Sequence, residues 1–371
     1  MPNPMFAASA AARSRALAAV AALLLGGCAR APQSASPESS GAVQQASHFA
    51  DSVRLSHALP GFAATVTQRG RVIWSDGFGF ADRERGIPAT PETRFRVGSV
   101  SKLFTAVALM RLVDAGVLDL DAPVSGYLNP YPPHWPPVTL RQLAGHTAGV
   151  RHYRGSEFFS RTSYATLRDA IEIFQSDSLL FAPGTRYAYS SYGYNLIGAV
   201  MEAVAREPFP AIMERIVFAP LGMSSTQPDS AGRAIAGRAA LYRVNAEGAS
   251  ATPEDDLSSR WPSGGYLSTT ADLARFANGV TDPGFLSRGA LDVMFTPQRL
   301  TNGDTTLVGI GWRMGTDSTG RRFHHHGGSS NGGAAFLLVY PNERLVVALA
   351  SNAFANWSTP EALHLAALFL R

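Results

Sequence analysis

The sequence predicts an α+β fold whose sheet is assembled from both ends of the chain. Three observations predict it. Strand-like segments occur near residues 61–82 and return only after residue 306. The stretch between them carries helical apolar periods instead. A length of 371 residues, 46% hydrophobic and 16% charged, supplies core for one large domain or two modest ones, and 35 Gly with 24 Pro make it loop-rich.

In chain order, residues 48–58 have a helical apolar pattern. GFAATVTQRGRVIWSDGFGFAD, residues 61–82, reads as two strands joined at Arg69-Gly70. KLFTAVALMRLVDAG is apolar on nearly all sides and stops at Gly116, the pattern of a buried helix. Shorter helices are expected near 139–145, 165–176, 194–205, 208–217 and 270–279. TLVGIGWRM, RRFHHH, AAFLLVYP and RLVVALAS are strand-like, and EALHLAALFL closes the chain as a helix. There is no internal repeat.

The first 27 residues read as a signal peptide. Arg13 and Arg15 precede the apolar run ALAAVAALLL, which is too short to span a bilayer as a mature helix. Leu25-Gly26-Gly27-Cys28 follows and resembles the bacterial lipobox, in which the cysteine is lipidated and becomes the new N-terminus. Ala29, where an aspartate could stand, resembles the signal for the outer membrane, on the periplasmic side. Cys28 is the only cysteine, so no disulfide can form within one chain. Residues 28–48, rich in Ala, Ser, Pro and Gln, are expected to be a flexible tether, with the folded domain at 49–371. The net charge of +4 falls to about +2 without Arg13 and Arg15. The arginines are scattered and not interleaved with aromatics, which argues against a nucleic-acid partner.

Lys102 is the only lysine; the chain has 32 Lys plus Arg, so 31 cations are arginines. It stands three residues after Ser99, which puts both side chains on one face of a helix. If Gly98-Ser99 opens that helix, the serine oxygen lies where unpaired N–H groups favour negative charge. A buried lysine can lose its proton and then accept one from serine, whereas a guanidinium cannot. A chain that uses arginine wherever a cation suffices therefore keeps lysine where a neutral amine is needed.

FRVGSVSKLFTA, LAGHTAGV, YAYSSYGYNLIG, SGGYLSTTADLARF and HHGGSSNGGAAFLLVYP occur in the order found in the serine β-lactamase-like hydrolases. That family includes class C β-lactamases, D-alanyl-D-alanine carboxypeptidases, D-aminopeptidases and related esterases. The resemblance spans about residues 50–370 and implies an antiparallel sheet flanked by helices with an inserted, mostly helical lobe. On its pattern the α/β lobe would be about 49–125 with 265–371, and the helical lobe about 126–264.

The resemblance implies that Ser99 is the acylated nucleophile and Lys102 its proton partner. Tyr189 falls at the tyrosine of the family's Tyr-x-Asn, as phenolate or hydrogen-bonded relay; Tyr187, Tyr192 and Tyr194 are read as packing residues. Ser191 replaces the family's asparagine, and a hydroxyl cannot present a carboxamide's separate donor and acceptor. His326-Gly327-Gly328 matches the family's Lys-Thr-Gly position in its His-x-Gly form. Gly327 and Gly328 would let a strand edge approach substrate, and the N–H groups of Ser99 and Ser329 would form the oxyanion hole. His326, mostly neutral near pH 7, would hold a substrate carboxylate poorly.

Three consecutive histidines also invite a metal. On a strand His324 and His326 face one way and His325 the other, and no aspartate follows two residues later, so no metal is assigned. His146 in GHTAGV is read as a structural residue of the cleft wall, and Asp272 as an early helix residue without chemistry. The expectation is a cofactor-free, lipid-anchored serine hydrolase acting on a small ester or amide, with esterase or peptidase activity preferred. The alternatives are a D-Ala-D-Ala carboxypeptidase or β-lactamase, and a non-enzymatic penicillin-binding-like scaffold.

Overall fold

The computed structural model describes residues 37–282, 284–354 and 359–370. The expected signal peptide and lipobox lie outside them. The main sheet has seven antiparallel strands: β1 (Gly61–Gln68), β2 (Arg71–Asp82), β3 (Ile87–Pro88), β4 (Arg313–Thr316), β5 (Arg322–Ser330), β6 (Gly333–Tyr340) and β7 (Leu345–Ser351). Their spatial order is β3-β2-β1-β7-β6-β5-β4. Arg69 and Gly70 both take positive φ, 52° and 76°, as the two-residue turn joining β1 to β2 requires. The ends of the chain meet where β1 pairs with β7, from Phe62 opposite Ser351 to Gln68 opposite Leu345.

Five helices frame this sheet and the site: α1 (Pro37–Ser56), α2 (Ser101–Asp114), α3 (Ser191–Ala205), α4 (Thr270–Thr281) and α5 (Thr359–Ala367). Side chains alternate across the sheet, so each strand feeds two cores. Phe62, Ala64, Phe336, Leu338 and Val347 join α1 and α5 on one side. Ala63, Leu337, Val346 and Ala348 join the core around α2 and α4 on the other. Helices cover both faces, which explains why β6 and β7 read as almost unbroken apolar runs.

Two expectations need correction. The tether assigned to residues 28–48 overlaps α1, which begins at Pro37. Ala42, Ala46, Ala50 and Val53 form its buried stripe at helical spacing. Three of the four are alanines, so the stripe is invisible to a reading by composition. TLVGIGWRM is strand only from Arg313. Before it the chain loops, with Gly311 at φ +84° and a Cβ there only 2.8 Å from that of Ala106 on α2. Val308, Ile310 and Trp312 are buried as loop anchors, so their apolarity mimics a strand. The hairpin Tyr242–Asn245 with Gly248–Ala251 and the helix Arg288–Met294 had no counterpart in the sequence reading.

Candidate active site

Residues Gly98–Val100 form a tight 3-10 turn that runs directly into α2. Ser99 stands on this turn, one helical turn before Lys102. Residues Ser101 to Met110 are all buried, so the lysine enters the protein rather than solvent. Its Nζ lies 3.1 Å from Ser99 Oγ, 2.9 Å from Ser191 Oγ and 2.6 Å from the carbonyl oxygen of Ser263. Burial, and then the positive charges of Arg313 and Arg260, hold the amine well below its ordinary pKa. All three oxygens lie within hydrogen-bond reach of Nζ, and an amine that has lost its proton can donate to two of them and accept from a serine hydroxyl.

Helix α3 brings the second group of residues. Ser190 caps it, accepting the Gly193 N–H at 3.0 Å, and the helix therefore starts at Ser191 rather than near residue 194. Tyr189 precedes the cap, its phenol faces Ser99 in the same cleft, and its ring lies 4.9 Å from Lys102 Nζ. Burial raises its phenol pKa above the ordinary value; the bond to Ser99 and the Arg313 charge act the other way without cancelling it. Burial therefore favours the neutral phenol of Tyr189 over a phenolate. Tyr194 donates to the carbonyl of Ala144 and Tyr192 to Glu157, so both hydroxyls are committed to support.

His146 packs its ring 4.4 Å from that of Tyr189. Its Nδ1 accepts the Ser190 N–H at 3.2 Å, and its backbone oxygen accepts the Ala188 N–H at 2.9 Å. It clamps the Tyr189 segment from both sides. Asp272 accepts from Ser225 and Thr226 and is likewise a tie between segments.

The third component is β5. A Cβ on Gly98 would stand 2.5 Å from Ser329 N, and one on Gly328 would stand 2.0 Å from Val97 O and 2.8 Å from Ser99 N. The strand therefore lies directly on the Ser99 turn, and Ser99 and Ser329 line the same cleft. The expected reason for Gly328, close approach of substrate, is replaced by close approach of the turn itself. Gly327 lines the cleft, with only the Phe336 ring near its missing Cβ.

His326 is buried; its Nδ1 lies 2.6 Å from the carbonyl oxygen of Gly327, which can only accept. The proton sits on Nδ1, and Nε2 keeps a lone pair. Burial first, and neighbouring positive charge with Arg313 among its sources, lower its pKa well below the usual value, so the ring is neutral near pH 7. His324 stacks on Phe295 at 4.3 Å and His325 on Phe336 at 5.4 Å, so the three rings have separate surroundings.

These residues line a cleft of about 480 Å³ with Ser99, Tyr189, Ser191 and His326 at its base. The beta-lactamase family model matches residues 40–371. The chain belongs to the beta-lactamase family. It is 28% identical to the human serine beta-lactamase-like protein LACTB, mitochondrial, over 64% of this chain and 59% of that one. It is 34% identical to Esterase EstB of Burkholderia gladioli over 44% of this chain and 46% of the esterase. The chain thus spans less than two thirds of either relative. Among solved structures, the octameric penicillin-binding protein homologue from Pyrococcus abyssi matches with a TM-score of 0.76 and 25% identity, covering 88% of this chain and 77% of that one.

Family blocks in the sequence point to Ser99, Lys102, Tyr189, Ser191, His326, Gly327, Gly328 and Ser329; Ser99, Tyr189, Ser191, His326, Gly327 and Ser329 line one cleft, with Lys102 buried against Ser99 and Gly328 against the Ser99 turn. His152, Arg260 and Arg313, which no block contains, and Ser263, which opens the block SGGYLSTTADLARF but was given no role, also line it. Ser263 acts through a backbone oxygen, which leaves no trace in residue type. His152 Nδ1 accepts the Ser191 N–H at 3.2 Å, and burial is the first cause of its pKa falling to about 4. Its position six residues after His146 carried no motif that could have singled it out.

Proposed function

We propose that this chain is a serine hydrolase that cleaves an ester or amide through an acyl-enzyme on Ser99. The observation that carries the reading is the fully buried, deprotonatable Lys102 amine 3.1 Å from Ser99 Oγ. Neutral Lys102 accepts the Ser99 proton as Oγ attacks the carbonyl carbon. The N–H groups of Ser99 and Ser329 stabilise the resulting oxyanion. Tyr189, whose phenol faces Ser99, relays a proton to the leaving group, and water then releases the acid by the reverse path.

Two replacements favour an ester or peptide over a β-lactam. The Ser191 hydroxyl is engaged by Lys102 and does not offer an amide side chain to the substrate. Neutral His326 stands where lactamases carry a cation. An intact-mass experiment with a fluorophosphonate tests the chemistry: one adduct is expected on the wild type and none on Ser99→Ala. An unlabelled wild type sinks the reading in favour of a binding scaffold. A panel of a p-nitrophenyl ester, a D-Ala-D-Ala peptide and nitrocefin then tests the substrate. Rapid nitrocefin turnover without esterase activity would transfer the preference to the lactamase alternative.

Leu25-Gly26-Gly27-Cys28 supports a lipid anchor at Cys28 that holds the domain at the cell envelope. No helix among the described residues is long and apolar enough to cross a membrane. The anchor predicts that full-length protein partitions into detergent and that Cys28→Ser moves it to the aqueous phase; unchanged partitioning removes the anchor.

A further inference from the structure

A buried carboxylate that does not itself line the cleft is tied to three parts of the site. Asp255 follows the hairpin Tyr242–Asn245 with Gly248–Ala251, and its two oxygens serve different guanidiniums. Oδ1 accepts from Arg96 Nη1 and lies 3.3 Å from Asn331 Nδ2, while Oδ2 accepts from Arg260 Nη2. All four residues are buried.

Each partner stands close in the chain to one working part. Arg96 precedes the Gly98–Val100 turn that carries Ser99, and its Nη1 also donates to the Asn331 backbone oxygen at 2.9 Å. Arg260 leads into the short helix Trp261–Gly264, and its backbone oxygen accepts the Ser263 hydroxyl at 3.3 Å. The carbonyl of that same Ser263 holds Lys102. Asn331 follows β5 directly, just beyond Ser329 and Ser330. Its amide donates to the Pro253 carbonyl at 2.8 Å and accepts from Thr252 Oγ1 at 3.0 Å, which fixes it on the segment that carries Asp255.

A neighbouring carboxylate supplies the contrast. Asp229 is as buried as Asp255 and also pairs with Arg96, but its other partner is Arg238, which does not line the cleft. The Asp229 side chain is therefore tied to the Ser99 turn alone, whereas Asp255 is tied to all three parts.

We propose that Asp255 is a positioning residue: its carboxylate holds the Ser99 turn, the Ser263 carbonyl that binds Lys102 and the end of β5 in mutual register. This rests on the serine hydrolase reading above. The position needs two acceptor oxygens. An amide there has one oxygen and one NH2 group, so one of the two guanidiniums would face a donor. Arg96 keeps Asp229, so the tie to Arg260 is the one that gives way. A displacement of about an ångström in groups that must meet costs on the order of 100-fold in rate.

The experiment measures kcat and KM on a p-nitrophenyl ester, Tm and fluorophosphonate labelling for wild type, Asp255→Asn and Asp229→Asn. Asp255→Asn is expected to lower kcat by roughly 10- to 100-fold with little change in KM, and to slow labelling in parallel. Asp229→Asn takes a carboxylate from the same buried network, so it is expected to lose Tm comparably while keeping kcat close to wild type. Equal losses of kcat in the two variants, or wild-type kcat in folded Asp255→Asn, overturn the inference. Where Asp255→Asn does not fold, Arg260→Met cuts the tie from the other end and leaves Asp255 with Arg96. It must then show the same fall in kcat, and a change confined to KM overturns the inference. Labelling of the wild type separates the two readings. Labelled wild type with kcat indifferent to Asp255→Asn overturns only the role of Asp255, whereas unlabelled wild type overturns the hydrolase reading as well.

Discussion

Lys102→Arg and Lys102→Met are each expected to lower kcat for ester hydrolysis by about a thousandfold or more, the scale of losing a positioned base from an activated nucleophile. Arginine keeps the charge but cannot lose its proton; methionine keeps much of the volume but has no amine. Both variants must be shown folded by circular dichroism. Turnover within tenfold of wild type in either would remove Lys102 from the mechanism. The same residue leaves a mark on stability. Its pKa is lower in the folded state than in the unfolded one, so between those values the unfolded chain binds more protons and stability rises with pH. The window runs from the depressed folded value up to about 10.4. The gain in Tm from pH 7 to pH 9.5 should therefore be larger in wild type than in Lys102→Met. An equal gain would mean that the buried amine is already protonated.

Gly328→Ala is expected to lower kcat by roughly a hundredfold or more through the oxyanion hole, and to destabilise by about 1–3 kcal/mol through overpacking. Its Cβ would meet Val97 O at 2.0 Å and Ser99 N at 2.8 Å, backbone atoms that cannot rotate aside. The strand must move away from the nucleophile's turn, and the Ser329 N–H moves with it. Gly327→Ala meets only the Phe336 ring, at 3.3 Å, so its loss should be smaller by at least an order of magnitude. Comparable kcat for the two variants would show that β5 does not position the oxyanion donors.

The site was legible where chemistry restricts residue type. A lysine can lose its proton where an arginine cannot, so a lone lysine one turn from a serine was informative before any contact was known. Tyr189 needed its family block, because four tyrosines lie within eight residues and only the start of α3 at Ser191 fixes which one meets Ser99. Arg313 was hidden inside an apparent strand, TLVGIGWRM, whose first part is a buried loop. The alanine stripe of α1 was hidden for the opposite reason: small residues bury well but carry little signal.

The sequence alone determined the α+β order and pointed to Ser99 and Lys102 as a candidate nucleophile and its amine, because periodicity and acid-base chemistry are local properties. Tertiary structure decided the rest. The Ser263 carbonyl reaches Lys102 across 161 residues, and β5 lies on the Ser99 turn because two glycines leave room for backbone against backbone. The pKa of Lys102 itself belongs to this second class. A lysine in the sequence has only the capacity to be neutral; burial beside Arg313 and Arg260 pushes it that way, since removing water penalises the charged form and neighbouring cations penalise it further.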